Sequence, residues 1–255
     1  MRNGRAFISL LLFMLLAFPA FGFETIRNLS LPADGIAKLR IDAGAGFLKV
    51  VGRDGLAEIH VTAEIVVSGV EEKDVDAYIK NHGQLELRKS GDTALLTAGF
   101  HDAVSLFAVK SGHIDLTVTV PRALALEIKD GSGKLSVADI AADVRIDDGT
   151  GSLKVARVKG NVRIDDGEGD LSVDEVEGNV DIVDDAGDID VRNVTGDVSL
   201  LDGSGGITLV KIGGRVTVDD TSGILAIKDV GKDVILKQKG KGTVDITDVK
   251  GKIIR

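Results

Sequence analysis

From Asp130 to Lys237 the sequence repeats every 18 residues without an insertion. Six units begin at Asp130, Asp148, Asp166, Asp184, Asp202 and Asp220, with the consensus D-G-x-G-x-L-x-V-x-x-V-x-G-x-V-x-I-x. A fixed period of this length belongs to repeat architectures, in which one unit cannot bury its apolar face alone and stacked neighbours bury it together. The chain is therefore constrained to a solenoid before any other property is considered.

The interior of each unit alternates. In the unit from Asp148, Leu153 and Val155 point one way while Ser152 and Lys154 point the other; Val162 and Ile164 repeat the pattern between Asn161, Arg163 and Asp165. A period of two is that of a strand. The two halves are alike, Gly-x-Leu-x-Val at Gly151 recurring nine residues on as Gly-x-Val-x-Ile at Gly160. Each coil thus has two short strands and two turns, with a β-branched residue at one corner: Ile140, Val158, Val176, Val194, Ile212 and Val230. Such residues suit a buried pleated ladder. The leucine column is Leu135, Leu153, Leu171, Ile189, Ile207 and Leu225. Glycines fill one column at Gly133, Gly151, Gly169, Gly187, Gly205 and Gly223, and another at Gly160, Gly178, Gly196 and Gly214. Positions needing positive φ or tight stacking select glycine.

The regular array has less regular flanks. Ile41 to Val50 reads as an earlier, degenerate unit, and Val70 to Asn81 is the helix candidate. Lys239 to Ile246 fits one more coil if a single residue is inserted. The expected fold is an all-β, single-stranded and right-handed β-helix of 18-residue coils. Its N-terminal cap is less regular and holds one short helix. The chain divides into three segments: residues 1–22 as a leader, 23–111 as an irregular β portion or cap, and 112–255 as regular coils continuous with it.

The leader reading rests on Arg2 and Arg5, the uncharged run Ala6 to Phe18, and small residues Ala20 and Gly22 before the cleavage point. That is the layout of a secretory signal peptide. The apolar run is short for a spanning helix of about 20 residues. The expected location is the periplasm, the cell surface or the exterior, with no stable membrane insertion after cleavage. The chain has no cysteine, so stability must come from core burial and ladder hydrogen bonds.

Charge and aromatics narrow the function. Residues 130–220 carry 21 acidic and 9 basic side chains, whereas residues 221–255 carry 4 acidic and 8 basic. An acidic body disfavours nucleic acid and anionic headgroups. From Gly112 to Arg255 there is no Phe, Tyr or Trp, so the repeats offer no stacking platform for bases. At the basic end, Lys237, Lys239, Lys241, Lys250, Lys252 and Arg255 are expected to oppose edge-to-edge pairing of the last rung.

Candidate chemistry centres on the aspartate column: Asp130, Asp148, Asp166, Asp184, Asp202 and Asp220. Stacked carboxylates repel unless solvent, a cation or hydrogen bonds compensate. A row of calcium sites is one reading. The calcium-binding nonapeptide, however, needs Asp two residues after its last Gly, and that place is apolar here, as at Leu153 and Leu171. Asp before Gly is a turn residue whose side chain bonds nearby backbone N–H groups, and that reading is preferred; no metal or cofactor is assigned. His60, His82, His101 and His113 have no partner at ligand spacing, and no G-x-S-x-G elbow surrounds Ser105 or Ser111. Arg145 and Arg163 stack near Asp147 and Asp165, as a salt-bridge ladder would. No catalytic residue is assigned.

The leader, the degenerate unit, the run Ile114-Asp-Leu-Thr-Val-Thr-Val-Pro121 and the G-x-[LV]-x-[VI] coils after it resemble the bacterial "putative adhesin" domain family of exported β-solenoids. The resemblance covers residues 36–255. It implies surface adhesion and supplies no catalytic or ligand residues. The function expected is a non-enzymatic, adhesin-like envelope protein presenting a repeated surface to a protein or glycan partner. The alternatives are a carbohydrate-active β-helix enzyme and a self-assembling structural protein with weak self-association.

Overall fold

The computed structural model describes residues 22–101 and 110–255, with the side chains of residues 238–241 excepted. The leader, apart from Gly22, and Ser105 lie outside the described residues. Strands dominate, as the period of two requires. β1 (Phe23–Pro32) is followed by β2 (Lys38–Ala45) and β3 (Leu48–Arg53). β2 and β3 form the degenerate unit, and it is a true coil. Leu39 and Ile41 lie in register with Leu126 and Ile128, and Leu48 and Val50 with Leu135 and Val137.

The chain then leaves the array for β4 (Glu58–Ser68), α1 (Val75–His82), β5 (Gly83–Ser90), β6 (Thr93–Phe100) and β7 (Ser111–Pro121). The helix is shorter at its start than its sequence pattern, because a tight turn over Glu72–Asp74 precedes it. Its Tyr78 is buried, with the Phe100 ring 5.9 Å away. β6 and β7 run parallel to β2 and β3, on the side opposite the repeats. They make a coil that comes after the first in sequence and before it in space. β5 then pairs antiparallel with β6, β4 with β7, and β1 with β4. The N-terminal end therefore changes from parallel to antiparallel pairing.

The repeats run as β8 (Ala125–Ile140), β9 (Val144–Val158), β10 (Val162–Glu168), β11 (Leu171–Val176), β12 (Val180–Ala186), β13 (Ile189–Val194), β14 (Val198–Asp202), β15 (Gly205–Ile212) and β16 (Val216–Val230). β17 (Val234–Lys241), β18 (Val244–Val249) and β19 (Ile253–Ile254) complete the array, a solenoid of about seven turns. Every pairing among the repeats is parallel and offset by one period: Leu171 lies between Leu153 and Ile189, and Ile164 between Ile146 and Ile182. The one slip is between β16 and β17, where Val218 faces Leu236 and Asp219 faces Gln238. Lys237 is the extra residue that the sequence of the last coil requires.

The leucine column and the β-branched corners are 0–2% exposed, and apart from one file of aspartates the core of the repeats is aliphatic. The two glycine columns have different causes. Gly151 has φ +139°, where a side chain is strained; Gly178 does not, but a Cβ there would lie 2.4 Å from the Gly160 carbonyl oxygen in the coil beside it. One column bends the chain and the other lets coils touch. The residue before each corner is left-handed without being glycine: Asp139, Arg157, Glu175, Asn193, Lys211 and Asp229 have φ between 53° and 63°. Non-glycine residues adopt this region at a cost, so packing on both sides holds the corner.

Val176 is 1% exposed while the adjacent Glu177 is exposed and faces Lys159 at 3.6 Å. Val176→Asp places a carboxylate inside the aliphatic stack and is expected to cost several kcal/mol. Glu177→Lys is expected to stay within about 0.5 kcal/mol of the parent. Urea denaturation of both variants checks the assignment, and equal midpoints would contradict it.

Candidate functional site

Within each unit the inward alternation runs one residue past the apolar pair. Val162 and Ile164 point into the solenoid, and so does Asp166. The same holds along the column: Asp130, Asp148, Asp166, Asp184, Asp202 and Asp220 are 1–4% exposed, and they are the only buried polar side chains among the described residues. They stack in register, Asp148 on Asp130, Asp166 on Asp148, Asp184 on Asp166, Asp202 on Asp184 and Asp220 on Asp202. The turn reading is corrected on this point. These aspartates lie in strands with their side chains directed inward, because strand parity outweighs the turn preference of Asp-Gly.

The carboxylates are poorly satisfied. Both oxygens of Asp148, Asp166, Asp184 and Asp202, and one oxygen each of Asp130 and Asp220, are buried without a hydrogen-bond partner. Their proton affinities rise accordingly. Burial first, then the Asp148 charge, pushes Asp130 up to about 7. Burial, then Asp166 and Asp202, carries Asp184 to about 7. Burial, then Asp148, raises Asp166 to about 6, and burial, then Asp220, raises Asp202 to about 6. Burial also lifts Asp148. The amide of the next glycine tempers the shift at Asp130, Asp148 and Asp166 without cancelling it. A carboxyl taken out of water favours its neutral form.

The other candidates are dispersed. Arg145 and Arg163 do stack, but neither forms an ion pair with Asp147 or Asp165 among the described residues, so the expected salt-bridge ladder is not formed there. Ion pairs join other columns: Arg157 donates to both oxygens of Asp139 at 2.7 and 2.9 Å, and Lys38 and Arg40 meet Glu127 at 3.1 and 3.0 Å. His60 lies beside Glu58, His113 beside Asp115, and His82 against Tyr78. His101 comes directly after β6. Among the described residues no group of three or more His, Asp or Glu is placed to hold a metal ion. No helix among them is long and apolar enough to cross a membrane.

A second ladder escaped the sequence reading. At the turn before the second strand, the side-chain oxygen of Asp143 accepts from the Asn161 N–H at 2.8 Å. Asn161 does the same for Asn179 at 3.0 Å, Asn179 for Asp197 at 2.9 Å, and Asp197 for Arg215 at 2.8 Å. Arg215 has no acceptor to offer, and the series resumes with Asp233 accepting from Lys252 at 2.8 Å. The signal was present as Asx residues 18 apart beside the glycine column. Asn161→Ala leaves the Asn179 amide without this acceptor and is expected to lower stability by about 1 kcal/mol. Arg215→Asn supplies the missing acceptor and is expected to raise it by a few tenths of that. Thermal melts of both variants test the pair of signs.

Among curated proteins, none matches the chain. Solved structures similar to it include a "putative cell adhesion protein" from Clostridium sporogenes, 17% identical over 91% of this chain and 98% of that one, TM-score 0.35. A "putative adhesin" from Parabacteroides distasonis is 13% identical over 90% and 97%, TM-score 0.32. A "putative lipid binding protein" from the same organism is 10% identical over 90% and 97%, TM-score 0.39. Identities and TM-scores this low transfer no residue role. The family profile of Toastrack DUF4097 matches residues 36–252, and the chain belongs to that family.

Proposed function

We propose that this chain is a non-enzymatic, exported, adhesin-like envelope protein that binds a partner along one flat wall of its solenoid. Residues 1–22 direct export, residues 23–111 cap the array, and residues 112–255 supply the repeated surface. The observation that carries this reading is the contrast between the two faces of one wall. Inward, Val162, Val180, Val198 and Val216 repeat one residue type. Outward, the adjacent file changes at each step: Arg163, Asp181, Ser199, Thr217. Beside it run Asp165, Val183, Leu201 and Asp219, where Leu201 is 48% exposed. All of these outward residues except Asp165, with Lys237, line a shallow pocket of about 230 Å³. An apolar centre ringed by charge is the usual anatomy of a recognition patch.

The reading requires no metal and no cofactor, and the partner is a surface protein or glycan rather than nucleic acid. Weak self-association has one observation of its own. At the last coil Val244, Ile246 and Val249 are only partly buried, and Ile253 and Ile254 are 45% and 47% exposed. Lys250, Lys252 and Arg255 stand beside them as charges that oppose pairing of two such ends.

Immobilised residues 23–255, exposed to solubilised envelope and to a glycan array, test the proposal. Saturable retention of one component is expected. Leu201→Asp should weaken it about tenfold or more, a loss of ~1.4 kcal/mol, with the melting temperature unchanged. Retention indifferent to both Leu201→Asp and Arg163→Glu would contradict the assigned wall. Release of new chain ends from a polysaccharide would replace it with an enzymatic reading.

A further inference from the structure

We propose that the aspartate column is a proton-binding ladder, a file of carboxylic acids that share protons from coil to coil and make the solenoid pH-sensitive. The geometry leads there by exclusion. The six side chains are in register, one per coil, and hold ten carboxylate oxygens that are buried and unpartnered. Adjacent parallel strands lie about 4.8 Å apart, so ionised neighbours would repel in a medium that screens poorly. Among the described side chains no basic group answers them. The charged groups that act on the column are themselves acidic: Asp147 on Asp148, Asp165 and Asp185 on Asp166, Asp185 on Asp184, and Asp188 on Asp202. The other buried side chains of these coils are aliphatic. At the ends of the file Ala43 is in register with Asp130, and Lys239 with Asp220.

A proton placed between two such carboxyls supplies the donor that each pair lacks. A neutral carboxyl has one O–H to give and oxygens to accept, so a file of them can bond in series along the solenoid. Asp184 and Asp202 are such a pair, stacked in register with all four oxygens buried and unpartnered. Burial raises both, and the neighbouring carboxylates of the file add to the rise at each: Asp166 and Asp202 at Asp184, Asp220 at Asp202. Metal is the other cation that could serve, but a calcium ion takes about six to eight oxygen ligands, and no qualifying ligand cluster exists among the described residues.

Raised folded-state pKa values set the sign of the pH dependence. Below about pH 3 Asp130, Asp166, Asp184 and Asp202 are neutral in the folded chain, and an unfolded aspartate is largely neutral too. From there to about pH 7 the unfolded chain releases protons that Asp130, Asp166, Asp184 and Asp202 retain, so stability falls as pH rises. Above that range Asp130, Asp166, Asp184 and Asp202 are ionised in the folded chain and repel their neighbours.

Two measurements on residues 23–255 test the ladder. Infrared difference spectroscopy of the wild type near pH 6 should show the carbonyl band of protonated carboxyl groups, vanishing as pH is raised. Thermal melts should show the midpoint falling between about pH 4 and pH 7. Asp166→Asn with Asp184→Asn, which keeps side-chain hydrogen bonding but cannot ionise, should flatten the profile and melt above the wild type in alkali. The surface pair Asp147→Asn with Asp165→Asn should keep most of the wild-type slope. A wild type with no protonated-carboxyl band near pH 6 overturns the proposal even if the double variant does not fold. A calcium-dependent midpoint, abolished by chelator, overturns it in favour of a metal column.

Discussion

Each coil passes its backbone hydrogen bonds to the coils on either side, so a residue's nearest neighbour in space is its own counterpart one period away. Val144 donates to Asn161 and Val162 to Asn179, while Glu177 donates back to Val158 and Thr195 to Val176. This parallel, in-register stacking explains the narrow chemistry of the interior. A column admits a residue only if it can sit on a copy of itself. Aliphatic side chains do so at no electrostatic cost, whereas rings have little room between coils with two short strands. The absence of aromatics from Gly112 onward is a consequence of the cross-section. Glycine at Gly178 has the same origin, since a Cβ there would strike the backbone of the adjacent coil.

The same constraint gives one residue type two opposite fates. Asp143 and Asp197 sit at an exposed turn and spend an oxygen on the amide of the next coil. Asp166 and Asp184 sit on inward parity and find only other aspartates and aliphatic groups. The first arrangement strengthens the stack at every pH at which the acceptor persists. The second makes the stack depend on proton occupancy. The repeat, which copies a favourable contact along the whole array, copies an unfavourable one equally well. Neutralisation by protons relieves every step of the file at once.

Much of the fold was legible because a stacked repeat describes its own contacts: residues one period apart must touch. Contact one period apart places the Leu153 and Val158 columns inside, makes Ile41 to Val50 a coil, and requires one extra residue before the last coil, which is Lys237. Where the period stops, so did legibility. That β6 and β7 lie outside β2 and β3 depends on pairings between segments far apart in sequence and unlike one another. The left-handed corners carry Asp, Arg, Glu, Asn and Lys in turn, so no residue type announces the conformation. The aspartate file was visible but misplaced. Asp-Gly chemistry pointed to a turn, while parity with Val162 and Ile164 pointed inward, and burial obeyed parity. The wall proposed for recognition carries no such signature, because outward columns are free of the stacking rule that makes inward ones readable.

The central claim is that register, set by an 18-residue coil, holds the molecule together. Deleting residues 166–183 joins Asp165 to Asp184 and restores every column one coil shorter. Deleting residues 166–182 leaves one residue too many between coils stacked on both sides. A bulge there, like that at Lys237 near the open end, would break the ladders with both neighbours, and without a bulge the inward and outward faces of every strand beyond the junction are exchanged. Circular dichroism with thermal unfolding, run on both deletions, decides the matter. The account predicts a strand-rich spectrum and a cooperative melt for the first and loss of the cooperative melt for the second. Equal cooperativity in the two proteins would contradict it.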